Sequence, residues 1–330
     1  MPRSGKYAKI ADVVGVGINA TDTVIQLPRF PEFNSKLEIN SAAVLPGGQV
    51  ATALAACRKW GLSARYVGSI GDDAAGDPQQ DSLRGAGIET HFVRVKNCSS
   101  QFSFILVDGQ SGERTILWKR DARLTLTPQH LRQNWIVNSR VLLVDGHDTG
   151  AAAQAATWAR SARIPVVADV DNIYPWLEVL LEQTDYLLAS HEFPARIVNE
   201  SNLLVALPKI AQRYGCAVAG VTLGRLGTLA WDGSRFHYSR GFEVRAVDTT
   251  GAGDVFHAGI VYGILRRWPL QATLEFSCAA AALNCTAFGA RGGIKSLLEI
   301  RKFMKNSKRS EPAFSPGELM RYSRPQKDAQ

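Results

Sequence analysis

The chain's clearest chemical feature is a glycine-rich turn, residues 248–254, that runs into a segment of small residues. Gly251 and Gly253 carry no side chain, so a bulky anion can approach the backbone NH groups where the following helix begins. Such NH groups and the helix dipole together bind anions. Asp254 would repel a phosphate, which favours a role for it as a base toward a group attacking that phosphate. The turn therefore indicates phosphoryl transfer.

A simpler interpretation of this turn is structural: the glycines reverse the chain and Asp254 caps the helix. A second glycine pair makes that interpretation insufficient. Gly47 and Gly48 stand at the start of an alanine-rich helical pattern far upstream, so two distant glycine turns both offer backbone to a ligand.

Together these residues resemble the PfkB (ribokinase-like) family of carbohydrate kinases. The Gly47-Gly48 element is similar to the family's first signature, and residues 248–259 are similar to its second. The resemblance extends from about residue 12 to about residue 300. It implies transfer of the γ-phosphate of Mg-ATP to a sugar hydroxyl, with Asp254 as base and the NH groups of Gly251, Ala252 and Gly253 as an anion hole. The alternative is a catalytically silent regulator that binds a sugar or nucleotide on the same fold.

Asp22 is the best candidate for a sugar contact. It follows the first predicted strand, at the sheet edge where open α/β folds bind ligands, and its carboxylate can accept bonds from two hydroxyl groups. A loop aspartate bonded to nearby backbone is the other possibility for this residue. The family resemblance adds further sugar-site candidates, namely Gly47, Gly48, Thr52 and Arg114.

The resemblance also implies a nucleotide site and cation sites. The candidates for contacts with ATP are Thr222, Gly224, Gly227, Asn284 and Gly289. Oxygens of Asp248 and Thr250 match positions that hold a monovalent cation, potassium, in some family members, and hard cations do favour oxygen ligands.

Two positions depart from the family pattern. Thr52 stands where the family commonly has Asn, which removes an amide that would bond sugar hydroxyls. The family's N-x-x-E element falls at Ser190-His191-Glu192-Phe193, so Ser and Phe replace its Asn and Glu. Glu192 is the candidate to substitute toward Mg²⁺, whose shell usually retains several waters.

Three neighbouring basic residues suggest an anionic substrate. Lys119, Arg120 and Arg123 could bind a carboxylate, phosphate or sulfonate on the sugar, because guanidinium pairs with such groups through two bonds. A solvated charge cluster with Asp121 is the alternative.

Apolar runs alternate with helical patterns along the chain, which predicts a mostly parallel sheet covered on both sides, a three-layer α/β fold. The resemblance makes this a ribokinase-like core forming a single domain over 1–330. Segments 23–45 and 91–119 break the alternation, and the second contains a hairpin signal. In the family, such segments form a small β-sheet lid, and lids of two protomers often pair; a homodimer is thus implied.

Other nucleotide-binding folds fit the sequence less well. Residues 15–20 match the permissive G-x-G-x-x-G/A fingerprint, but the β-branched residues and two prolines that follow argue against the required helix. Residues 292–296 lack the P-loop spacing.

Composition sets the remaining limits. The chain has 330 residues, five scattered cysteines without a C-x-x-C pair, and net charge +8. This cysteine pattern argues against a disulfide framework or zinc site, and no apolar run reaches membrane-spanning length or forms a signal segment, so we expect a cytoplasmic protein. Nine Lys or Arg and four acids lie in residues 295–330. A flexible basic tail over 305–330, rather than a nucleic-acid surface, is therefore predicted.

Overall fold

The structure, a computed structural model, describes residues 10–323 and contains two β-sheets. Its strands are β1 Ala11–Val16, β2 Ala20–Leu27, β3 Ser41–Gly47, β4 Ala64–Gly71, β5 Glu89–Val95, β6 Phe102–Asp108, β7 Arg114–Lys119, β8 Ser139–Asp145, β9 Val166–Asp169, β10 Tyr186–Ser190, β11 Val218–Thr222, β12 Thr228–Trp231 and β13 Phe236–Ser239. Its α-helices are α1 Gln49–Lys59, α2 Gly76–Gly85, α3 Gln133–Val137, α4 Thr149–Ser161, α5 Leu177–Leu181, α6 Phe193–Val198, α7 Leu203–Tyr214, α8 Ala252–Arg266, α9 Leu270–Asn284, α10 Leu297–Asn306 and α11 Pro316–Tyr322.

The large sheet has nine strands in the order β13-β12-β11-β10-β9-β8-β1-β4-β5. Its strands pair in parallel except for β12 and β13, which pair antiparallel at one edge. Apolar clusters cover both of its faces, one built largely on α1, α8 and α9 and the other on α4, α5 and part of α7. The predicted three-layer α/β architecture is confirmed.

The strand order reverses beside β1, which lies between β4 and β8. Val16 at the end of β1 is in register with Val67 of β4 and Val144 of β8. In open parallel sheets, ligands bind outside the carboxyl ends of strands at such a reversal. Asp145 and Asp169, the last residues of β8 and β9, reach this same edge.

Helices α8 and α9 pack in close contact. A Cβ on Gly259 would lie 2.4 Å from Ser277 Oγ, and one on Gly263 would lie 2.4 Å from Thr273 Cγ2. These two glycines of α8 therefore allow α9 to pack directly against its backbone.

The small sheet has four strands in the order β3-β2-β6-β7 and forms the lid sheet. One of its faces buries Val24, Ile105 and Val107 against Leu45 and Phe288. The predicted second lid segment began at residue 91, and this boundary was wrong: β5 pairs in parallel with β4 in the large sheet, so the segment begins at β6.

The basic C-terminal segment is ordered against the domain as far as the structure describes it. Arg309 forms a β-bridge with Phe242, and the ring of Phe314 lies 5.5 Å from that of Tyr238. Helix α11 begins with a capping box between Ser315 and Glu318. The prediction of a flexible tail was therefore wrong for residues 305–323, while residues 324–330 and the basic start 1–9 lie outside the described residues.

Two further predictions concern covalent and membrane features. All five cysteines are buried and unpaired. Within residues 10–323, every helix is too short or too polar to cross a membrane.

Candidate active site

The glycine-rich turn forms a backbone NH site at the start of α8. Gly251 has φ +75°, and a Cβ there would lie 2.2 Å from the carbonyl oxygen of Ala290, so only glycine fits. The NH groups of Gly251 and Gly253 have no hydrogen-bond acceptor among residues 10–323. The NH of Ala252, by contrast, donates to the carbonyl of Thr249 at 3.3 Å. The open donors of the predicted anion hole are thus the NH groups of Gly251 and Gly253. The NH of Ala252, which was predicted to act with them, is already bonded.

Asp248 stabilises this turn through hydrogen bonds to its side chain. It is fully buried; its Oδ1 accepts bonds from Thr250 N at 2.8 Å and Thr250 Oγ1 at 2.6 Å, and its Oδ2 accepts one from Gly289 N at 2.8 Å. Both side-chain oxygens of Asp248 already accept hydrogen bonds from the protein, so they fit a supporting role better than a potassium site.

Asn284 supports the same turn. Its Nδ2 donates to the carbonyl of Thr250 at 3.1 Å and to that of Ala290 at 3.0 Å. The side chain is fully buried, so in this structure it supports the turn, and its contact with a nucleotide stays a prediction. Its Oδ1 has no partner in the described chain. Gly289, which has φ +82°, lies in the loop after this asparagine and contacts Asp248 through its NH group.

Asp254 lies in the first turn of α8 in an acidic environment. Burial raises the pKa of its carboxyl well above the ordinary value, and the neighbouring Asp169 carboxylate raises it further. His257 and Arg114 act in the opposite direction. A raised pKa makes Asp254 a stronger base than an ordinary carboxylate, which suits proton abstraction from a hydroxyl near neutral pH.

His257 connects Asp254 to the sheet. Its Nδ1 lies 2.8 Å from the carbonyl oxygen of Gly253 and 3.3 Å from Asp169 Oδ2, and its Nε2 lies 2.7 Å from the carbonyl oxygen of Leu188. Burial lowers the pKa of this imidazole, while the two carbonyls oppose that shift. The ring therefore anchors the anion-hole backbone to β10.

Asp22 lies in β2 on the site side of the lid sheet. It is 4% exposed and accepts a hydrogen bond from Ser103 Oγ of β6. Burial raises the pKa of its carboxyl, against the effects of the Ser103 bond and the positive charge of Arg291. Gly47 of β3 packs directly on this carboxylate, since a Cβ there would lie 1.9 Å from Asp22 Oδ2. The structure thus brings Asp22 and the first glycine pair together.

Gly48 and Thr52 shape the start of α1. Gly48 has φ +91°, and a Cβ there would lie 2.4 Å from Asn19 Cα. The NH of Thr52 donates to the carbonyl of Gly48 at 2.8 Å, and Thr52 is fully buried.

Arg291 was missed by the sequence analysis. Its guanidinium donates from Nη2 to the carbonyl of Gly47 at 3.0 Å, from Nη1 to Ser82 Oγ at 3.1 Å and from Nε to Thr52 Oγ1 at 3.4 Å. The residue lies two positions after Gly289, in the turn following α9. That proximity was the only signal in the sequence, because the contact with Gly47 spans 244 positions.

Arg114 joins the lid sheet to the anion hole. Its Nη1 donates to Thr249 Oγ1 at 2.9 Å, and the NH of Thr249 donates to the carbonyl of Gly112 at 3.0 Å. The β6–β7 hairpin therefore docks on the turn that carries Gly251.

The loop after β11 lies at the same edge of the large sheet. Gly227 has φ +104°, and a Cβ there would lie 1.9 Å from the carbonyl oxygen of Ser239. Gly224 has φ +57° with open space around it, and Thr222 Oγ1 donates to the carbonyl of Ala189 at 3.4 Å. The loop thus has the open backbone that a nucleotide contact requires.

Glu192 follows β10 with a carboxylate that is 76% exposed, and its Oε1 lies 3.9 Å from His191 Nε2. Among residues 10–323, no three His, Cys, Asp or Glu side chains group into a metal cage. Mg²⁺ bound with phosphates usually needs only one or two carboxylates, because phosphate and water oxygens complete its shell. One exposed carboxylate at this edge fits that requirement.

Two of the basic residues suggested for an anionic sugar are already paired. Arg120 forms a two-bond ion pair with the buried Asp148, at 2.9 and 2.8 Å. Arg123 pairs with Asp121 at 2.5 Å. These arginines therefore neutralise carboxylates of the protein itself.

Known proteins match this chain over most of its length. The model of the pfkB family of carbohydrate kinases matches residues 11–297. The chain is 27% identical over 308 residues to a ribokinase of Haemophilus influenzae, covering 91% of this chain and 99% of that protein. It is 26% identical over 284 residues to an ATP-dependent ribose-1-phosphate kinase of Halopiger xanaduensis, covering 84% and 93%.

A solved structure of ribokinase from Thermotoga maritima superimposes with a TM-score of 0.76 at 25% identity, covering 90% of this chain and 100% of that chain. The fold is therefore ribokinase-like, with the small four-stranded sheet as its lid. The family match spans the large sheet, the lid and the turn that carries Asp254. This chain belongs to the pfkB family of carbohydrate kinases.

Proposed function

We propose that this protein is an ATP-dependent sugar kinase in which Asp254 is the catalytic base and the NH groups of Gly251 and Gly253 bind the transferred phosphoryl group. The observation that carries this proposal is the coincidence of two open NH donors and a carboxylate of raised pKa within one turn. Asp22 binds sugar hydroxyls across from that turn.

The chemistry follows from this arrangement. Asp254 accepts the proton of the sugar hydroxyl while the hydroxyl oxygen attacks the γ-phosphorus and the bond to ADP breaks. The NH groups of Gly251 and Gly253 stabilise the charge that accumulates on the transferred group. Phosphoryl transfer depends mainly on such positioning and charge stabilisation. Arg114 and Thr249 dock the lid hairpin on the glycine-rich turn. This docking brings a sugar bound at Asp22 toward the phosphoryl group bound at Gly251 and Gly253.

ATP and Mg²⁺ are part of this proposal. The relative from Halopiger xanaduensis is named as ATP-dependent, and the loop from Thr222 to Gly227, with Gly289, is assigned to the nucleotide. When bound, Mg²⁺ neutralises phosphate charge, and Glu192 is the residue assigned to its hydration shell. Potassium remains a prediction from the resemblance, tested by comparing turnover in potassium and sodium buffers of equal ionic strength.

The test is ADP formation from Mg-ATP over ketohexoses, aldopentoses, nucleosides and acidic sugars. Turnover on one class by the wild type, lost in Asp254→Asn, supports the kinase and identifies its substrate class. A silent regulator is the second candidate, favoured by Ser190 and Phe193 in place of the family's Asn and Glu. Sugar binding by calorimetry without turnover on any sugar would support the regulator and contradict the kinase.

A homodimer through the lid is also proposed. Val44, Phe104 and Leu117 lie in one row across the lid sheet, because Thr23 is in register with both Val44 and Phe104, and Phe104 with Leu117. Their exposed fractions are 69%, 44% and 54%, so this outer face is apolar and open. Light scattering of the wild type and Leu117→Glu tests the assembly: a dimer that becomes a monomer supports it, and a wild-type monomer contradicts it.

A further inference from the structure

Asp22 and Thr52, two candidate sugar contacts, offer few hydrogen-bond donors. Asp22 is an acceptor once it is ionised, and Thr52 offers one short hydroxyl where the resembling family commonly has an amide. A sugar hydroxyl both donates and accepts, so it is best bound between an acceptor and a donor of the protein. A donor from a third residue would complete such an arrangement.

Arg291 lies where that donor is needed. Its Nε contacts Thr52 Oγ1, and its Nη2 contacts the carbonyl of Gly47, the glycine that packs on the Asp22 carboxylate. Its positive charge also acts on Asp22, whose pKa it lowers. Arg291 as a whole is intermediate in exposure.

The guanidinium has donors to spare. It carries five N–H groups, of which three are used, one each toward Thr52, Ser82 and Gly47. One N–H on each of Nη1 and Nη2 has no acceptor in the part of the chain that the structure describes. All three acceptors are neutral oxygens, and the side-chain hydrogen bonds of Arg291 within residues 10–323 include no carboxylate. Burial lowers the pKa of Arg291 to about 10, which leaves it charged at neutral pH.

We propose that Arg291 is a sugar-binding residue: its two spare N–H groups donate to a sugar hydroxyl that in turn donates to Asp22, and so replace the amide that Thr52 lacks. This inference rests on the proposed kinase function. The three bonds to protein oxygens fix the guanidinium, so its free N–H groups are oriented before the sugar arrives. The pair at positions 52 and 291 then determines which hydroxyls the site accepts.

The experiment is a double-mutant cycle in the full-length protein. Arg291→Gln, Thr52→Asn and the double variant are compared by the KM for the best sugar, the KM for ATP and direct sugar binding by calorimetry without ATP. Arg301→Gln, an exposed arginine of α10, is the matched control for loss of a guanidinium. Melting temperatures establish that each variant is folded, and Arg291→Lys provides a second variant if Arg291→Gln does not fold.

Arg291→Gln is expected to raise the sugar KM and Kd by roughly 10- to 150-fold, the effect of losing hydrogen bonds from a charged donor. The KM for ATP should stay within about twofold. Adding Thr52→Asn to Arg291→Gln should recover part of the loss, because its amide restores a donor. A purely structural arginine would give no such recovery and would weaken both substrates together.

Two results overturn the inference. If the wild type phosphorylates a sugar and Arg291→Gln and Arg291→Lys both leave its KM unchanged, Arg291 does not bind the sugar and the kinase assignment stands. If the wild type neither binds nor phosphorylates any sugar in the panel, the proposed function fails and this inference fails with it.

Discussion

Gly47 and Asp22 lie so close across the β2–β3 pair that a Cβ on Gly47 would stand 1.9 Å from Asp22 Oδ2. No rotation of a side chain at position 47 relieves this contact, because the Cβ position is set by the backbone. Any residue larger than glycine must therefore displace the carboxylate or open the lid sheet. Glycine is required at position 47 because of the Asp22 carboxylate, and its conformational freedom is secondary.

Gly47→Ala should raise the KM for the sugar much more than that for ATP. The displaced Asp22 carboxylate loses its alignment, and a shift of about 1 Å in a positioning group can cost about 10²-fold in rate. Steady-state kinetics with each substrate varied in turn measures this. Gly85→Ala in α2 is the control, since its Cβ would meet nothing within 4 Å. Equal activity of Gly47→Ala and wild type would contradict the assignment of Asp22.

Asp254→Asn should lose about 10²- to 10⁴-fold in turnover, the usual effect of removing a general base. Its folding stability should behave differently. The folded-state pKa of Asp254 is raised, so its contribution to stability is present below the ordinary pKa and is lost as pH rises through the raised value. At pH 8 the asparagine variant should therefore melt at the same temperature as the wild type or higher. A lower melting temperature at pH 8 would show that the charge is not destabilising.

Asp169→Asn should move the acid limb of the kcat/KM profile to lower pH. The Asp169 carboxylate raises the pKa of Asp254, so neutralising it should let Asp254 remain ionised in more acidic solution. The pH profile is measured from pH 5 to 9 with saturating ATP. Asp77→Asn, which removes an exposed carboxylate paired with Arg94, is the control. An acid limb that stays in place or moves upward would exclude this coupling.

Arg114→Gln should lower kcat and leave the fold intact. It removes the hydrogen bond between the lid sheet and Thr249, so the arrangement in which the lid hairpin is docked on the glycine-rich turn becomes less populated. A loss of about 10-fold corresponds to about 1.4 kcal/mol, close to the lower end of the range for a hydrogen bond from a charged donor. Thr115→Ala, an exposed neighbour on β7, serves as the control. Unchanged kcat in Arg114→Gln would show that this contact does not contribute to closure.

Arg120→Gln should destabilise the protein by about 3–5 kcal/mol, because it leaves the buried Asp148 carboxylate without its partner. Urea unfolding measures the change. Arg123→Gln breaks an exposed pair and should cause little change in the free energy of unfolding. Were Arg120 instead a substrate residue, its substitution would change preference between acidic and neutral sugars while leaving stability unaltered.

Sequence reasoning could propose Asp254, its glycines and Asp22 because each of these signals is local in the sequence. It did not find Arg291, Asp145 or Asp169. Asp145, for example, is fully buried, accepts a bond from the NH of Ile18 at 2.7 Å and has its pKa raised to about 6 by burial. Nothing local in the sequence marks an aspartate at a strand end as buried, since burial depends on which strands become neighbours.

The sequence did not reveal what supports the anion hole. Asn284 and Gly289 were predicted only as nucleotide contacts, from their place in the family pattern. In the structure the asparagine is buried and bonds the Thr250 carbonyl, and the NH of Gly289 bonds Asp248. The C-terminal segment through residue 323 was misjudged: its charge suggested solvation, yet a few apolar residues such as Phe314 suffice to dock it.

What the sequence by itself determined is the local chemistry: a glycine turn before a helix, a nearby carboxylate and an alternating α/β pattern. Backbone geometry and hydrophobic periodicity act over a few residues, so they can be inferred without the fold. Only the tertiary structure decided which distant groups meet, such as Arg291 with Gly47 across 244 positions and Arg114 with Thr249 across 135. Those contacts depend on strand order and on the docking of the lid sheet, which the full set of packed elements establishes together.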